Sequence, residues 1–289
     1  MSSEILVSAA ELHDLLTGQS TVVVDCRFDL VDPHKGRENW LTAHIPGAVY
    51  ANLEEDLSAP IQPHTGRHPL PETDVFANFL ASAGWAGEKL LVAYDDGSNA
   101  ISSRLWWMMK YYGKPAALLD GGFGAWLKAG YPVESGIPVV TGSVPELPEP
   151  DLNMIVSADS IREQLNSGKE PVLDARAPER FSGEVEPLDA RAGHIPGALN
   201  RPFTENLDVN GHFRPAQELK SEFEALLGSV STKKVIHSCG SGVTACHNLF
   251  AMELAGLGGS RLYPGSWSHW IRDPDRPIAT GFPGDPPGL

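Results

Sequence analysis

The sequence predicts two related α/β domains in tandem, each a mostly parallel sheet flanked by helices on both faces. Three observations carry this. The chain has 289 residues, too many for one small core and suited to two of ordinary size. Four segments occur twice, in the same order. Within each copy, short apolar runs alternate with longer amphipathic stretches, the pattern of a parallel sheet whose crossovers are helices.

The duplicated segments define the copies. VVVDCRF, with Asp25 and Arg27, returns as PVLDARAPERF, with Asp174 and Arg176. AHIPGAVYANLEEDL, from Ala43, returns as GHIPGALNRPFTENL, from Gly193. LLVAYDDGSNAIS matches KKVIHSCGSGVTA, setting Asp96 opposite Cys239. DGGFGAWLKAGYPV matches YPGSWSHWIRDPDRPI and pairs Trp126 with Trp270. The period is a whole domain, so the repeat is a duplication and not a solenoid. The expected domains are 1–140 and 157–289. Between them, 141–156 contains TGSVPELPEPDLN, rich in proline and acidic residues, and should be an extended strap.

The elements follow in order. The opening MSSEILVSAAELHDLL reads as an amphipathic helix with a Ser8–Glu11 capping box, lacking the basic and apolar regions of a secretory leader. TVVVDC, LLVAYDD, PVLDAR and KVIHS are short and apolar or β-branched, hence buried strands. DVFANFLASAG, from Asp74, and QELKSEFEALLG, from Gln217, are helices closing on glycine. His44 and His194 sit in His-Ile-Pro-Gly turns, where an imidazole can cap neighbouring backbone, so both read as structural.

Composition narrows the function. Hydrophobic residues are 42% and charged residues 20%, a globular balance. The net charge of −15 repels phosphate backbones and argues against nucleic acid as a partner. No run approaches the ~18–20 apolar residues that span a bilayer, so no membrane association is expected. Three cysteines, Cys26, Cys239 and Cys246, are an odd, low count that fits reduced thiols in the cytoplasm.

One loop carries chemistry. In VIHSCGSGVTACHNLFAMELAG a strand runs to Ser238, the loop CGSGVT follows, and a helix starts near Thr244. Cys239 is therefore placed at the carboxyl end of a parallel strand, where open α/β sheets bind ligands. Gly240 and Gly242 let the loop fold tightly, so that the amides through Val243 and Thr244 can face inward. With the helix N-terminus, these dipoles should stabilise a sulfur anion on Cys239. The competing reading is a buried structural thiol, which suits Cys26 and Cys246 better. A zinc site from Cys239, Cys246, His237 and His247 lacks paired-ligand spacing, and no metal or other cofactor is expected.

The loop CGSGVTAC, the two HIPGA motifs, the DAR of Asp174 and the PGSW from Pro264 together resemble the tandem rhodanese family of sulfurtransferases. The resemblance spans essentially the whole chain. It implies two rhodanese-like domains with only the second catalytic, a carboxylate replacing the sulfur carrier in the first. Thiosulfate sulfurtransferases typically place basic residues after the cysteine. Gly240 and Ser241 stand there in this chain, which is more similar to 3-mercaptopyruvate sulfurtransferases. The resemblance implies Arg180 as an anchor for the donor's carboxylate, with Arg191 as a candidate second anchor where the family's usual arginine is missing. It also implies a Ser–His–acid set of Ser241, His68 and Glu54, half of it supplied by the first copy. The expected partners are a small sulfur donor and a thiol or cyanide acceptor, with a thioredoxin-like protein as a candidate acceptor. The alternatives are thiosulfate as preferred donor, a non-catalytic sulfur-binding protein, and a cysteine phosphatase. The last needs an arginine where this chain has Ala245.

Overall fold

A computed structural model describes residues 5–18, 21–87, 89–165 and 169–282. The chain forms two compact units. The first comprises 1–59, 70–151 and 207–213; the second comprises 60–69, 152–206 and 214–289. Each unit thus holds a short segment from the other's stretch of sequence.

The first unit contains β1 (Leu6–Val7), α1 (Ala9–Thr17), β2 (Thr21–Asp25), α2 (Lys35–Thr42), β3 (Val49–Tyr50), α3 (Thr73–Ser82), β4 (Leu90–Tyr94), α4 (Ser102–Tyr111), β5 (Ala116–Leu119) and α5 (Gly122–Lys128). Its strands are all parallel, in the order β1-β5-β4-β2-β3. Central strands read TVVVD and LLVAY because both faces are covered, so every position after the first is buried. The capping box on α1 forms, with Ser8 accepting from the Glu11 amide and Glu11 from the Ser8 amide. Val23, Val92, Leu119 and Trp126 are among the residues of its core.

The second unit contains α6 (Ala158–Gln164), β6 (Val172–Asp174), α7 (Pro178–Ser182), β7 (Leu199–Asn200), α8 (Ala216–Leu227), β8 (Ile236–Ser238), α9 (Ala245–Leu254), β9 (Arg261–Leu262) and α10 (Ser266–Trp270). Its parallel order is β7-β6-β8-β9, extended at the β9 edge by a bridge from Ile155 to Leu262. Both sheets are flanked by helices. Among the described residues no helix is long and apolar enough to cross a membrane.

The duplication is visible in side chains. Trp126 Nε1 donates to the Pro132 carbonyl and Trp270 Nε1 to that of Pro277, each at 2.8 Å. His44 Nδ1 donates to the Trp40 carbonyl at 2.7 Å and His194 Nδ1 to that of Phe181 at 2.8 Å. Asp25 and Asp174 each fork onto the arginine two residues on, and both pairs are buried.

One pairing read from the sequence is off by a residue. Asp25 is in register with Tyr94, and Asp174 with Ser238. Asp95, and not Asp96, therefore corresponds to Cys239. Cross-loop hydrogen bonds agree: Phe123 N donates to the Asp95 carbonyl where Trp267 N donates to that of Cys239. Asp95 is buried, whereas Asp96 is exposed.

Candidate functional site

The site is built where β8 ends. The strand delivers Cys239, the loop runs to Thr244, and α9 starts at Ala245. Cys239 is 1% exposed, and the Gly242 amide donates to its Sγ at 3.1 Å. Gly242 has φ +80°, and a Cβ there would collide with the Pro264 carbonyl oxygen, so only glycine fits. The turn into α10 fixes the loop from behind. Ser266 Oγ accepts from the Cys239 amide at 3.0 Å; Trp267 N and Ser268 N donate to the carbonyls of Cys239 and Gly240.

The first unit shows what this loop geometry favours. Asp95, at the position of Cys239, accepts the amides of Gly97, Asn99, Ile101 and Ser102 at 3.1, 2.8, 2.9 and 3.4 Å. A loop after a parallel strand, leading into a helix, gathers N–H groups around an anion. Burial nevertheless pushes the Asp95 carboxyl above its ordinary range, against those four bonds.

Ser241 Oγ lies 2.7 Å from His68 Nδ1, and both residues are buried. His68 belongs to the 60–69 segment that clusters with the second unit. Glu54 belongs to the first unit; it is exposed, in a turn held by Asn52 Oδ1 accepting its amide at 2.8 Å.

Two guanidinium groups stand over the loop. A Cβ built on Gly240 would lie 2.9 Å from Arg67 Nη2 and 3.6 Å from both terminal nitrogens of Arg180. Asp189 binds both, one oxygen to Arg67 Nη1 and the other to Arg180 Nη2 at 3.3 Å. Arg180 also binds Glu186 at 2.7 Å, and Glu186 reaches the Arg176 of the buried Asp174–Arg176 pair at 3.4 Å. Asp189 and Glu186 have side chains 4% and 3% exposed, and each is paired with arginine, as buried carboxylates generally are. Arg191 is exposed; its carbonyl accepts Trp267 Nε1 at 2.8 Å, and its guanidinium makes no hydrogen bond or ion pair among the described residues.

The structure thus brings Cys239, Gly240, Ser241, Gly242, His68 and Arg180 together, with Val243 buried and Thr244 immediately before α9, where its side chain makes no capping hydrogen bond. It does not bring Arg191 or Glu54 into that hydrogen-bonded set. Sequence reasoning missed Arg67, although it adjoins His68. Cys246, His237 and His247 are held by hydrogen bonds of their own. Cys246 Sγ donates to the Gly242 carbonyl at 3.4 Å, His237 contacts Ser260 Oγ at 3.1 Å, and His247 contacts Asn206 Nδ2 at 3.2 Å.

Comparison with known proteins accords with this layout. A family profile described as "Rhodanese-like domain" matches residues 8–129 and 157–273, both copies of the repeat. The chain belongs to the rhodanese family. A Pseudomonas aeruginosa protein named "Probable 3-mercaptopyruvate sulfurtransferase" is 45% identical over 284 residues, covering 97% of this chain and 100% of that protein. The thiosulfate sulfurtransferase of Bos taurus is 31% identical over 269 residues, covering 88% and 86%. The crystal structure of SseA from Escherichia coli, a 3-mercaptopyruvate sulfotransferase, superposes with a TM-score of 0.77 at 31% identity, covering 91% of this chain and 98% of that one. This rhodanese-family chain is a sulfurtransferase with two rhodanese-like domains.

Proposed function

We propose that the chain moves sulfur from 3-mercaptopyruvate through a persulfide on Cys239 to a thiol or cyanide acceptor, releasing pyruvate. The observation that carries this reading is the hydroxyl–imidazole pair Ser241–His68, 2.7 Å apart on an otherwise uncharged loop beside the sulfur. A donor with a ketone needs a hydrogen-bond donor where its oxygen gains charge; a donor that is a dianion does not.

The Cys239 thiolate attacks the donor's sulfur. The carbon–sulfur bond breaks, and its electrons pass to carbon and onward to the ketone oxygen as an enolate. The thiol proton ends on that carbon, which completes pyruvate and leaves a persulfide anion on Cys239. Ser241, with His68 behind it, stabilises the enolate oxygen. Arg180 holds the carboxylate, and a guanidinium suits that planar anion. The Gly242 amide, 3.1 Å from Sγ, stabilises sulfur charge before and after transfer. An acceptor thiol, cyanide or a thioredoxin-like protein then takes the terminal sulfur and restores the thiolate. Cys26, Cys239 and Cys246 are all outside any disulfide, which supports a cytoplasmic setting.

Charge favours mercaptopyruvate over thiosulfate. Arg67, Arg180 and Arg176 are matched in number by Asp189, Glu186 and Asp174. A dianion would add two charges to a balanced site in a chain of net charge −15; a carboxylate adds one. The test is kcat/KM on both donors, with the intact mass of the donor-treated protein. Mercaptopyruvate should be favoured at least about tenfold, about 1.4 kcal/mol in transition-state terms. The wild type should gain one sulfur atom, and Cys239→Ser none. Equal or better use of thiosulfate refutes the donor assignment.

A further inference from the structure

We propose that the first unit carries a small-molecule site of its own, at the amino edge of its sheet, for an apolar monocarboxylate whose charge pairs with Lys114. In parallel α/β sheets ligands gather at the carboxyl ends of the strands, where the Asp95 loop of this unit lies. The opposite edge nevertheless holds a cavity of about 380 Å³, within the range of small-molecule sites. Three neighbouring strands begin at it: Ile5 stands just before β1, Ala116 opens β5 and Leu90 opens β4. The last turns of α4 close its side, with Trp106 and Lys110 four residues apart on one face and Lys114 beyond them. None of the lining residues is acidic.

Local sequence fixes Lys114 in place. Gly113 takes φ +63° after α4, and the Lys114 amide closes back on the Met109 carbonyl at 2.9 Å. Pro115 follows, a residue that cannot continue the helix. Lys114 Nζ then rests 5.8 Å from the centroid of the Trp85 ring, as Lys110 Nζ rests 5.7 Å from that of Trp106. Both indoles are buried and both lysines are half-buried, so their stems cover apolar surface while the ammonium groups stay at the mouth. The Lys114 ammonium forms no ion pair among the described residues, although the chain carries a net charge of −15. The same geometry selects the ligand. Covering Ile5, Leu90 and Pro115 takes an apolar body. A phosphate group is disfavoured: the Gly113 and Lys114 amides are engaged by the Lys110 and Met109 carbonyls, and α4 turns the negative end of its dipole to this edge. A single carboxylate on the ammonium avoids both obstacles.

The test uses the full-length protein and two probes, 4-phenylbutyrate and its neutral isostere 4-phenylbutyramide, in calorimetric titrations at low ionic strength. The acid should bind saturably with a Kd of about 1 mM or tighter, and the amide at least about threefold more weakly. Lys114→Met should weaken the acid by about threefold to tenfold and leave the amide within about twofold, and Lys114→Arg should restore the acid. Arg180→Met separates this site from the donor loop, since it should leave binding at Lys114 unchanged. Lys114→Met, in turn, should load sulfur at the wild-type rate. Acid binding that survives Lys114→Met and is lost in Arg180→Met belongs to the donor loop and overturns the inference. Equal affinity for acid and amide, or no saturable binding up to about 10 mM, overturns it as well.

Discussion

Replacing Gly242 by alanine is the sharpest perturbation of the sulfur-carrying loop. The residue has φ +80°, where an L side chain costs about 1–2 kcal/mol. The new Cβ would also collide with the Pro264 carbonyl, and forced overpacking of this kind costs about 1–3 kcal/mol more. Relief requires the loop and the turn into α10 to separate, yet Ser266 Oγ, Trp267 N and Ser268 N tie them together at 2.9–3.0 Å. The strain therefore reaches the Cys239 amide and moves the Gly242 N–H away from Sγ. Gly242→Ala should lower stability by about 2–5 kcal/mol and slow single-turnover sulfur loading by about a hundredfold. Gly256→Ala is the matched control. Its φ is +73°, but nothing lies within 4 Å of the added carbon, so it should cost only the backbone term and leave loading unchanged. Urea unfolding and rapid-quench mass measurement would follow both variants. If Gly242→Ala is no less stable than Gly256→Ala and loads sulfur at the wild-type rate, the loop does not hold its shape for the reason given.

Three further outcomes are expected. Ser241→Ala should reduce kcat on mercaptopyruvate by about a hundredfold while leaving thiosulfate turnover within about twofold, measured as pyruvate and thiocyanate release. Asp95→Ala, which strips four amides of their acceptor, should destabilise the protein by about 2–4 kcal/mol in denaturant, whereas Asp96→Ala should stay within about 0.5 kcal/mol. Burial lowers the His237 imidazole to about 3. The unfolded chain takes up that proton below its ordinary value of about 6.5, and the folded chain does not. Stability should therefore fall as pH drops from about 6.5 towards 3, by at most about 1.4 kcal/mol per unit from this group, and His237→Gln should flatten the slope in denaturant titrations.

The duplication, the strands and the loop were legible because each depends on residues adjacent in sequence. Apolar runs reveal buried strands, and Gly-flanked Cys239 between a strand and a helix reveals a cradle. The register of the first copy was not, because Asp95 and Asp96 are chemically identical neighbours. Strand register and the cross-loop hydrogen bonds separate them. Arg67 was hidden for a different reason. A basic residue in a Pro- and Gly-containing loop normally faces water, and its partner Asp189 is 122 positions away. Arg191, in contrast, sits at the expected point in sequence, but its backbone carbonyl serves Trp267 and its side chain is exposed.

The exchange of residues 60–69 and 207–213 between the two compact units makes the chain hard to divide. A polypeptide starting at Leu152 would keep Cys239, Ser241 and Arg180, yet arrive without the imidazole 2.7 Å from Ser241 and without the guanidinium over Gly240. Once each copy had come to depend on a loop encoded in the other, recombination could no longer part them. The half that has Asp95 in place of Cys239 is thereby retained in the gene.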